Sequence, residues 1–555
     1  MPVANPEDIL ATAADSFSAA LRYHQAGDWQ QARVAYEQCL AHDPAHSHAR
    51  ANLGSVYRQL GLTQQALDCL LHATTATPDD ACAHYNLGNL YRSQGQRLQA
   101  VQSYRHSLAC AASRSQFART AYNLGLTLAE LPDPDAAETA YRQACEADPD
   151  HTDARLNLAT LLAGQGRLTE AACLYEQLLE RNPAEARVFN NLANLYQEAG
   201  RIEDALTLLQ KAIDLQATLP QPRSNRLMAL QYDPAISPAQ WLEEARQWGA
   251  WATARATDLL GCSPGRCFRV RPARAPLRVG YVSADFCMHP VGLFLTNVLA
   301  AHDPTRITPV LYSNGSPRDG ITAQLIQAVQ GKGGGFREVK ELDDLTLARQ
   351  IGVDEIDVLV DLSGHTGKSR LALFGLRPAP VQITWLGYFA TTGLPAMDFI
   401  LLDRYHAPEG TQSQLTERII HLPHNRFCYT PVAFAPEVAP APCAKNGYVT
   451  FGSFNNTAKL NPAVLTTWAD ILARLSDSRL IIKWRTLADA TYRHYLQDFF
   501  SQHGIAPERL ELRPMSPHRE LLEQYADIDI LLDPFPFSGG HTSCESLWMG
   551  VPVIT

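Results

Sequence analysis

The residues with the clearest chemistry lie in the stretch DPFPFSGGHTSCESLWMG at 533–550, where an apolar strand pattern ends in a Gly-Gly turn before a helical pattern. Unpaired N–H groups and the dipole at a helix start favour an anion, and Gly540 lets the backbone approach it. Thr542 adds a hydroxyl donor. Glu545 can accept from ribose hydroxyls or simply favour the first helical turn. A diphosphate fits this pattern, and ordinary helix capping by Thr542 or Ser543 is the alternative.

Two further side chains follow strand patterns in the same part of the chain. The segment NTAKL places Lys459 just after VTFGSFN, where an ammonium can neutralise a leaving diphosphate. A lone lysine is otherwise a solvated surface charge. The segment SPHREL supplies His518, which we expect near the base or ribose of a nucleotide, or else as a surface histidine at a helix start.

A second group of candidates lies earlier in the chain. The segment VGYVSADFCMHPVG puts Asp285 and His289 in a loop after a strand. As a neutral imidazole, His289 can accept a proton from an acceptor hydroxyl or hydrogen-bond a donor sugar, and a structural histidine is the alternative. DLSGHTG ends another strand with His365 and Thr366, and WLGY adds Tyr388. Some residues of this group must merely pack.

Parallel strands are needed to position these side chains. From residue 277, short apolar runs alternate with helical stretches and are typical of buried parallel strands: LRVGYVS, ITPVLYS, IDVLVDLSG, VQITWLG and FILLD, then VTFGSFN, RLIIKW, LELRP, IDILLD and VPVIT. We predict two Rossmann-like lobes at 276–435 and 446–555, joined by the Pro- and Ala-rich segment PVAFAPEVAPAPCAKNG. Such lobes bind ligands at the carboxyl ends of their strands, although the fold alone names no reaction.

The first 230 residues contain an internal repeat. Alanines recur at intervals of 34, 34, 37, 34 and 34 residues, at Ala32, Ala66, Ala100, Ala137, Ala171 and Ala205. Tyr or Leu follows each alanine by four residues, Gly precedes most by five, and Pro closes most repeats, a pattern typical of tetratricopeptide repeats. We predict a tetratricopeptide superhelix at 1–230 and a helical linker at 231–275. The interval of 37 predicts an insertion around LPDPDA, in a turn between helices.

One amide recurs at an equivalent position of the repeats. This asparagine row comprises Asn52, Asn86, Asn123, Asn157, Asn191 and Asn225. A carboxamide can donate and accept at once, so a line of such residues predicts a peptide-binding track that reads the backbone of an extended protein substrate. The alternative is that each asparagine satisfies backbone groups between adjacent helices.

Composition limits the classes of function. The chain has 555 residues and a formal charge of −10, from 57 acidic against 47 basic residues, without a basic block, which argues against nucleic acid as the main partner. Twelve cysteines form no CxxC pair, and Cys262 and Cys267 lack neighbouring zinc ligands, so reduced thiols in the cytosol are expected. No signal peptide pattern and no apolar run of about 18 residues is present, which predicts a cytoplasmic protein with no membrane partner.

Two apparent motifs are dismissed. GKGGGF at 331–336 lacks the Walker spacing and is expected to form a flexible loop, and DID at 527–529 lies at a strand entrance rather than in a metal site. We therefore predict no catalytic metal and no cofactor besides a donor substrate.

The features that carry a family resemblance are the asparagine row, RVGYVSADF with HP, GHT, RPAPVQITWLGY with TTGLP, SFNN with the lysine, and CESLWMGVP. Through these features the chain resembles the O-GlcNAc transferase and SPINDLY family, glycosyltransferase family 41. The resemblance spans nearly the whole chain. It implies an inverting, metal-independent GT-B enzyme that moves a sugar from a nucleotide diphosphate to Ser or Thr of proteins presented by the repeats.

The resemblance also assigns roles to individual residues. His289 falls on the family's active-site histidine and Lys459 on its diphosphate lysine. His541 and Thr542 fall on two phosphate-contacting threonines, so that His541 departs from the family pattern while its N–H can still serve. Glu545 takes the place of an acidic ribose-binding residue, as in SPINDLY.

The donor is left open between two nucleotide sugars. TTGLP, FCYTP and CESLWMGVP are closer to the SPINDLY branch, whose plant member uses GDP-fucose, whereas bacterial relatives of this pattern are usually taken to use UDP-GlcNAc, which we favour. A non-catalytic peptide-binding scaffold is the alternative from another class. Because family members continue with further helices after residue 555, we expect a poorly covered last strand and impaired activity. The sequence does not identify the acceptor proteins, the general base or the oligomeric state.

Overall fold

The computed structural model describes residues 12–265, 276–315 and 318–555. The chain divides into two compact units, the first formed by Met1–Gln165 with Glu170–Leu178 and the second by Gly166–Thr169 with Leu179–Thr555. Part of the predicted linker, residues 266–275 with Cys267, lies outside the described residues. No helix within the described ranges combines the length and apolarity needed to cross a membrane.

The first unit consists of helix pairs. Its helices are α1 (Ala13–Gln25), α2 (Trp29–His42), α3 (Ser47–Gln59), α4 (Thr63–Ala76), α5 (Ala81–Ser93), α6 (Arg97–Ala109), α7 (Arg114–Leu128), α8 (Pro134–Ala147) and α9 (Thr152–Gly164), and α10 (Leu168–Arg181) contributes residues to both units. The six repeat alanines are all fully buried, and the Tyr or Leu four residues later is at most 2% exposed. A Cβ on Gly88 would lie 2.6 Å from the Tyr104 ring, so small residues allow the paired helices to approach closely.

The predicted turns and helix ends of the repeats are confirmed. Gly27, Gly61 and Gly95 adopt φ of 73° to 74° in the turns between paired helices, a conformation that favours glycine. The second helix of a pair ends two residues before its proline, as α4 does before Pro78. The longer interval corresponds to a longer α7 and a longer turn before α8, which Pro134 opens.

Four helices of the second unit precede its sheets: α11 (Ala186–Glu198), α12 (Ile202–Leu215), α13 (Pro220–Leu230) and α14 (Pro238–Leu260). A capping box between Ser237 and Gln240 starts α14. Its Trp241, Trp248, Ala245 and Ala252 are buried in a core shared with the first sheet. The described part of the predicted linker is therefore a packed helix that supports the first lobe.

The first lobe contains a seven-stranded sheet. Its strands are β1 (Leu277–Ser283), β2 (Ile307–Ser313), β3 (Gly335–Glu338), β4 (Val358–Asp361), β5 (Val381–Thr384), β6 (Phe399–Leu402) and β7 (Arg418–His421), and its helices are α15 (Pro290–Ala301), α16 (Gly320–Gln330), α17 (Asp344–Val353) and α18 (Leu371–Phe374). All pairings are parallel in the order β3-β2-β1-β4-β5-β6-β7. The prediction of a flexible loop at 331–336 is wrong at its end, because residues 335 and 336 begin β3 and pair with β2.

The second lobe contains a five-stranded parallel sheet in the order β10-β9-β8-β11-β12. Its elements are α19 (Cys443–Asn446), β8 (Thr450–Ser453), α20 (Pro462–Arg474), β9 (Arg479–Lys483), α21 (Ala490–Gln502), β10 (Leu510–Arg513), α22 (His518–Glu523), β11 (Ile530–Leu532), α23 (His541–Trp548) and β12 (Val553–Ile554). The five predicted strands are confirmed. Ile554 of β12 is 55% exposed.

Each sheet has a point at which the strand order reverses. The first sheet reverses beside β1, which pairs with β2 on one side and β4 on the other, and the second beside β8, which pairs with β9 and β11. Open parallel sheets bind ligands at the carboxyl ends of the strands at such points. The loops after β1, β4, β8 and β11 are therefore where a ligand site is expected.

Candidate active site

Residues 533–540, here called the glycine turn, connect β11 to α23 and are organised by one buried carboxylate. Asp533 Oδ1 accepts hydrogen bonds from the Gly539 N–H at 2.7 Å and from the Asn455 amide at 3.2 Å. A Cβ on Gly539 would lie 2.4 Å from Ser543 Oγ and 2.8 Å from Asp533 Oδ1. The turn therefore requires glycine at position 539, because the backbone passes against the groups that support it.

Helix α23 begins without a capping side chain, since its N-cap residue is a glycine. The Thr542 hydroxyl donates to Asn455 Oδ1 at 3.2 Å. The Ser543 hydroxyl donates to Asp533 Oδ2 at 3.5 Å. Within the described part of the chain, the N–H groups of His541, Thr542 and Ser543 have no hydrogen-bond partner. Simple capping by the two hydroxyls is thus not observed, and three N–H groups are available to an anion.

The ammonium of Lys459, which follows β8, reaches the glycine turn. Its Nζ donates to Ser538 O at 2.9 Å and to Asn455 Oδ1 at 3.1 Å, and lies 4.9 Å from the centre of the Phe537 ring. Burial lowers the pKa of Lys459 to about 8, although the Asp533 carboxylate acts in the opposite direction. At neutral pH the side chain is mostly cationic and lies beside the same turn as the unpaired N–H groups.

His289 precedes α15 and caps it. The Val291 N–H donates to His289 Nδ1 at 3.3 Å, and Asp285 Oδ2 lies 3.9 Å from the same nitrogen. Burial lowers the pKa of His289, an effect that Asp285 opposes and Lys368 reinforces. Because Nδ1 accepts a hydrogen bond, the proton of the neutral ring is assigned to Nε2, which is then a donor.

Glu545 lies between two histidines. Its Oε1 accepts from His518 Nε2 at 2.5 Å, and His541 Nδ1 lies 3.3 Å from the same oxygen. Glu545 is only 4% exposed, so a ribose hydroxyl would have to share this carboxylate with two rings. Burial lowers the pKa of His541, while Glu545 raises it and the positive charges that His518 and His289 can carry lower it.

Contacts around α23 bring the two lobes together. The His541 ring lies 5.4 Å from Phe294 of α15 and 5.8 Å from Tyr429, measured between ring centres. Phe294 also stacks on Phe427 at 4.7 Å. The helix that follows His289 therefore packs against the start of α23, where the unpaired N–H groups lie.

Two of the predicted site residues are buried. His365 is fully buried, its Nε2 is 2.9 Å from Thr392 O, and it packs edge to face on Trp248. Tyr388 is 2% exposed and its hydroxyl accepts from the Gln231 amide at 2.6 Å. Both side chains thus have partners within the protein, and their contact with a nucleotide sugar stays a prediction.

Thr366 is half-buried and lies beside open space. Its hydroxyl donates to Ser363 O at 2.7 Å. A cavity of about 650 Å³ is lined by Thr366, Lys368 and Asn225 among other residues. The last member of the asparagine row thus shares a cavity with the loop after β4.

The asparagine row forms contacts between helices. In the first unit, Asn86 donates to Ala51 O at 3.2 Å. Asn123 and Asn157 donate to tyrosine hydroxyls of the preceding pair, at 2.8 and 3.3 Å, and Asn52 hydrogen-bonds Tyr36. In the second unit, Asn225 donates to Asn190 at 2.8 Å, and Asn191 accepts from Asn190 at 3.2 Å. The structure therefore shows the interhelical role for five of the six asparagines, whereas the contact of Asn191 lies within α11. Peptide binding stays a prediction for half-buried amides with further hydrogen-bonding capacity.

Three residues of the site are not singled out by the sequence analysis. Asn455, Asp533 and Phe537 organise the glycine turn and the lysine. Their place in the chain is the feature that could have identified two of them, because Asn455 and Asp533 follow the ends of two adjacent strands where the strand order reverses. Which partner each of them contacts depends on the turn geometry, which the sequence does not specify.

The DID motif is structural. Asp529 accepts from the N–H groups of Cys443 and Thr450, and Asp527 pairs with Arg513 at 2.6 Å. In the described ranges, no group of three or more His, Cys, Asp or Glu side chains is arranged to hold a metal ion.

The fold and the site define a class. Two parallel sheets with their ligand loops at the strand-order reversals, preceded by tetratricopeptide helix pairs, are the architecture of a two-lobed glycosyltransferase of the GT-B type with appended repeats.

Comparison with known proteins identifies the family within this class. The model of glycosyl transferase family 41 matches residues 267–432 and 444–555, and tetratricopeptide models match segments between residues 23 and 220. The chain belongs to glycosyl transferase family 41.

Several relatives are similar over the second half of the chain. Proteins named probable UDP-N-acetylglucosamine–peptide N-acetylglucosaminyltransferase SPINDLY are 38% identical in Solanum lycopersicum and 37% in Arabidopsis thaliana, each over 332 residues. These matches cover 60% of this chain and about a third of the relatives' length, 35% and 36%. The structure of a mutant of the Thermobaculum terrenum O-GlcNAc transferase is 35% identical with a TM-score of 0.72, and covers 80% of this chain and 83% of that one.

Proposed function

We propose that this protein transfers a sugar from a nucleoside diphosphate to a Ser or Thr hydroxyl of a protein acceptor. One observation carries the proposal: three N–H groups at residues 541–543, which have no partner among the described residues, adjoin the turn that Lys459 contacts. Both lie at the strand-order reversal of the second sheet. A diphosphate is the ligand whose charge and size fit this combination.

In the proposed reaction, the acceptor hydroxyl attacks the anomeric carbon in line and the nucleoside diphosphate leaves from the opposite face, which inverts the configuration. Negative charge grows on the β-phosphate as the bond breaks. The Lys459 ammonium and the N–H groups at the start of α23 stabilise that charge without having to reorganise. In this proposal these groups take the part that a metal ion plays elsewhere, and no cofactor besides the donor is required.

His289 acts in this scheme as a hydrogen-bond donor. Its Nδ1 accepts from the Val291 N–H, which leaves the proton on Nε2 of the neutral ring. A nitrogen that carries a proton cannot take one from the acceptor hydroxyl. We therefore favour a role for His289 in orienting the donor sugar or the diphosphate, and we assign the general base to no residue.

The donor we propose is UDP-GlcNAc, with GDP-fucose as the alternative. The names of the SPINDLY relatives and of the Thermobaculum terrenum enzyme both point to N-acetylglucosamine transfer. Incubation of the protein with isotopically labelled UDP-GlcNAc and GDP-fucose in separate reactions, followed by mass analysis of the protein products, distinguishes them. A mass increase of one N-acetylhexosamine supports the proposal, and an increase of one deoxyhexose assigns fucose as the sugar. If no mass increase is found with either donor, the protein is a peptide-binding scaffold.

The acceptor in this proposal is a protein presented by the repeats. The asparagine row offers amides to an extended backbone, and Asn225 and Thr366 line one cavity. The eleven cysteines within the described ranges are all free, and we propose a reducing cytoplasm as the site of the reaction.

Lys459→Ala tests the role of the lysine. We expect turnover to fall by about 100-fold, since a donor of this kind contributes roughly 3 kcal/mol to transition-state stabilisation. Binding of an acceptor peptide should stay within about twofold, because Lys459 belongs to the donor site. The measurement is initial-rate kinetics together with peptide binding by calorimetry.

The matched control is Lys445→Ala, which removes an exposed lysine from the same lobe. It should transfer sugar at the wild-type rate. Equal turnover of the two variants would reject Lys459 as a group that stabilises the leaving phosphate.

A further inference from the structure

The carboxyl end of α11, a repeat helix, contacts the second lobe through its last residue. The Glu198 carboxylate accepts two hydrogen bonds from the Arg485 guanidinium, one of them from Nε at 3.2 Å. Arg485 follows β9, and Glu198 is the last residue of α11. A two-pronged guanidinium–carboxylate contact fixes orientation as well as distance, so this pair holds the loop after β9 against the end of α11.

The same residue also contacts the lysine loop, defined as residues 455–459 after β8. The Thr457 hydroxyl donates to the Glu198 carbonyl at 2.9 Å, and lies 2.7 Å from the Thr486 hydroxyl. Because Thr457 has one hydroxyl proton and gives it to the carbonyl, Thr486 must donate to Thr457. Both threonines are fully buried. The carbonyl at the end of α11, which has no partner within its own helix, is thereby satisfied by the lysine loop.

A second repeat turn contacts the same region. Gly166 adopts a φ of 80°, and a Cβ there would lie 1.9 Å from Arg485 O. Thr169 donates from its N–H and its hydroxyl to the Asp489 carboxylate, at 2.8 and 3.1 Å. Asp489 in turn caps α21 by accepting from the Tyr492 N–H. The backbone at residue 166 therefore lies directly against the loop that also holds Glu198.

These contacts end at the proposed donor site. Thr457 is two residues before Lys459, and Asn455, two residues earlier, contacts both the lysine ammonium and Asp533 of the glycine turn. A shift of Thr457 would displace the groups on either side of it. A displacement of about 1 Å in such a site is sufficient to lower a rate by about two orders of magnitude.

We propose that the repeat turns at Gly166 and Glu198 hold the lysine loop in its working position, which makes Glu198, Thr457 and Arg485 positioning residues for Lys459. The repeats then serve the donor half of the reaction in addition to presenting an acceptor. The kinetic part of this inference rests on the proposed function, whereas the structural part does not.

Thr457→Val tests the contact with nearly unchanged side-chain volume. The variant cannot donate to the Glu198 carbonyl, so we expect the amides of residues 456–460 to exchange with solvent about tenfold faster. Hydrogen exchange followed by mass spectrometry measures this. Thr457→Ser keeps the hydroxyl and should restore wild-type exchange.

Gly166→Ala tests the backbone contact. A methyl group cannot fit beside Arg485 O, so exchange at residues 456–460 should increase here as well. The control is Gly95→Ala, because Gly95 has a similar φ of 73° and no neighbour within 4 Å of an added Cβ. It carries the same backbone strain and should leave the lysine loop unchanged.

Kinetic measurements distinguish a role of Thr457 in positioning Lys459 from a role in the stability of the fold alone. For Thr457→Val we expect kcat to fall by about tenfold while the KM for acceptor peptide changes less than about twofold. Thr467→Val, which removes an exposed hydroxyl bonded within α20, should behave as the wild type.

Two results would overturn the inference. One is unchanged exchange at residues 456–460 in both Thr457→Val and Gly166→Ala. The other is faster exchange with an unchanged kcat in an active enzyme. If the wild-type protein transfers no sugar, the proposed function fails, and the exchange rates alone still decide whether the repeat turns hold the loop.

Discussion

The ammonium of Lys459 is a charged group of the candidate site that is largely removed from water. Among the residues that the structure describes, it contacts two oxygen atoms and one aromatic face, and burial makes it lose its proton more readily than an exposed lysine does. A group with a pKa of about 8 is cationic at neutral pH and neutral in mildly alkaline solution. In the proposed reaction, the burial of residue 459 therefore sets the pH range in which its charge can assist.

This burial predicts an alkaline limit to activity. We expect kcat/KM to fall as the pH rises through about 8, because the neutral amine no longer stabilises the leaving phosphate. The profile should be measured from about pH 6 to about pH 10. Lys459→Arg keeps a charge throughout this range and should move the limit to higher pH, even with a lower maximum rate. An unmoved limit in this variant would assign the titration to another group.

At the scale of elements, the glycine turn and α23 act together. A Cβ on Gly539 would contact Ser543 Oγ and Asp533 Oδ1, so a larger residue must displace the side chains that support the turn and the first turn of the helix. We expect Gly539→Ala to weaken binding of UDP by at least about tenfold, as measured by calorimetry. The control Gly352→Ala places a methyl group in open space near the end of α17 and should bind normally. If both variants bind UDP with wild-type affinity, the glycine turn is not part of the donor site.

The asparagine row makes a separate prediction at the same scale. We expect Asn86→Ala with Asn157→Ala to raise the KM for acceptor peptide several-fold, since each loses an amide that can bind a peptide backbone. The KM for the donor should not change. Gln64→Ala, at an exposed position of α4 where the amide donates to Asp68, is the control. An unchanged acceptor KM in the double variant would confine the row to its interhelical contacts.

The elements themselves can largely be predicted from the sequence, because hydrophobic periodicity and the spacing of Ala, Gly and Pro determine them locally. Sequence reasoning misses two strands of the first sheet, β3 and β7. β3 is short and begins within the glycine run at 331–335, and β7 is a four-residue strand at the edge of the sheet, so their pairing with β2 and β6 gives no local signal. The positions of Lys459 and the glycine turn are predictable as loop residues after strands. The burial of His365 and Tyr388 cannot be predicted locally, because it results from α13, α14 and the segment that joins them. Ser224, Gln231 and Trp248 of these parts contact the two side chains.

At the scale of the whole molecule, the chain has two compact units, and the candidate site belongs entirely to the second. We expect Ala66→Leu to destabilise the first unit by about 1–3 kcal/mol, because Ala66 is fully buried between paired helices. The affinity for UDP should not change. Thermal unfolding followed by circular dichroism, with UDP titration of the folded protein, measures both.

The control for this prediction is Ala76→Leu, at the exposed end of α4, which should leave the unfolding midpoint unaltered. A loss of UDP affinity in Ala66→Leu at temperatures where it is folded would contradict the independence of the two units.

The absence of a side chain at residue 166 has a consequence for how such a chain can diversify. A turn pressed against the backbone of another loop tolerates neither insertion nor a methyl group, so the last helix pairs are the invariable end of the array. Pairs farther toward the amino terminus carry no such restriction at Gly61 or Gly95. If the repeats present the acceptor as proposed, new acceptor preferences can arise by duplicating, deleting or exchanging upstream pairs, and chimaeras should be joined there.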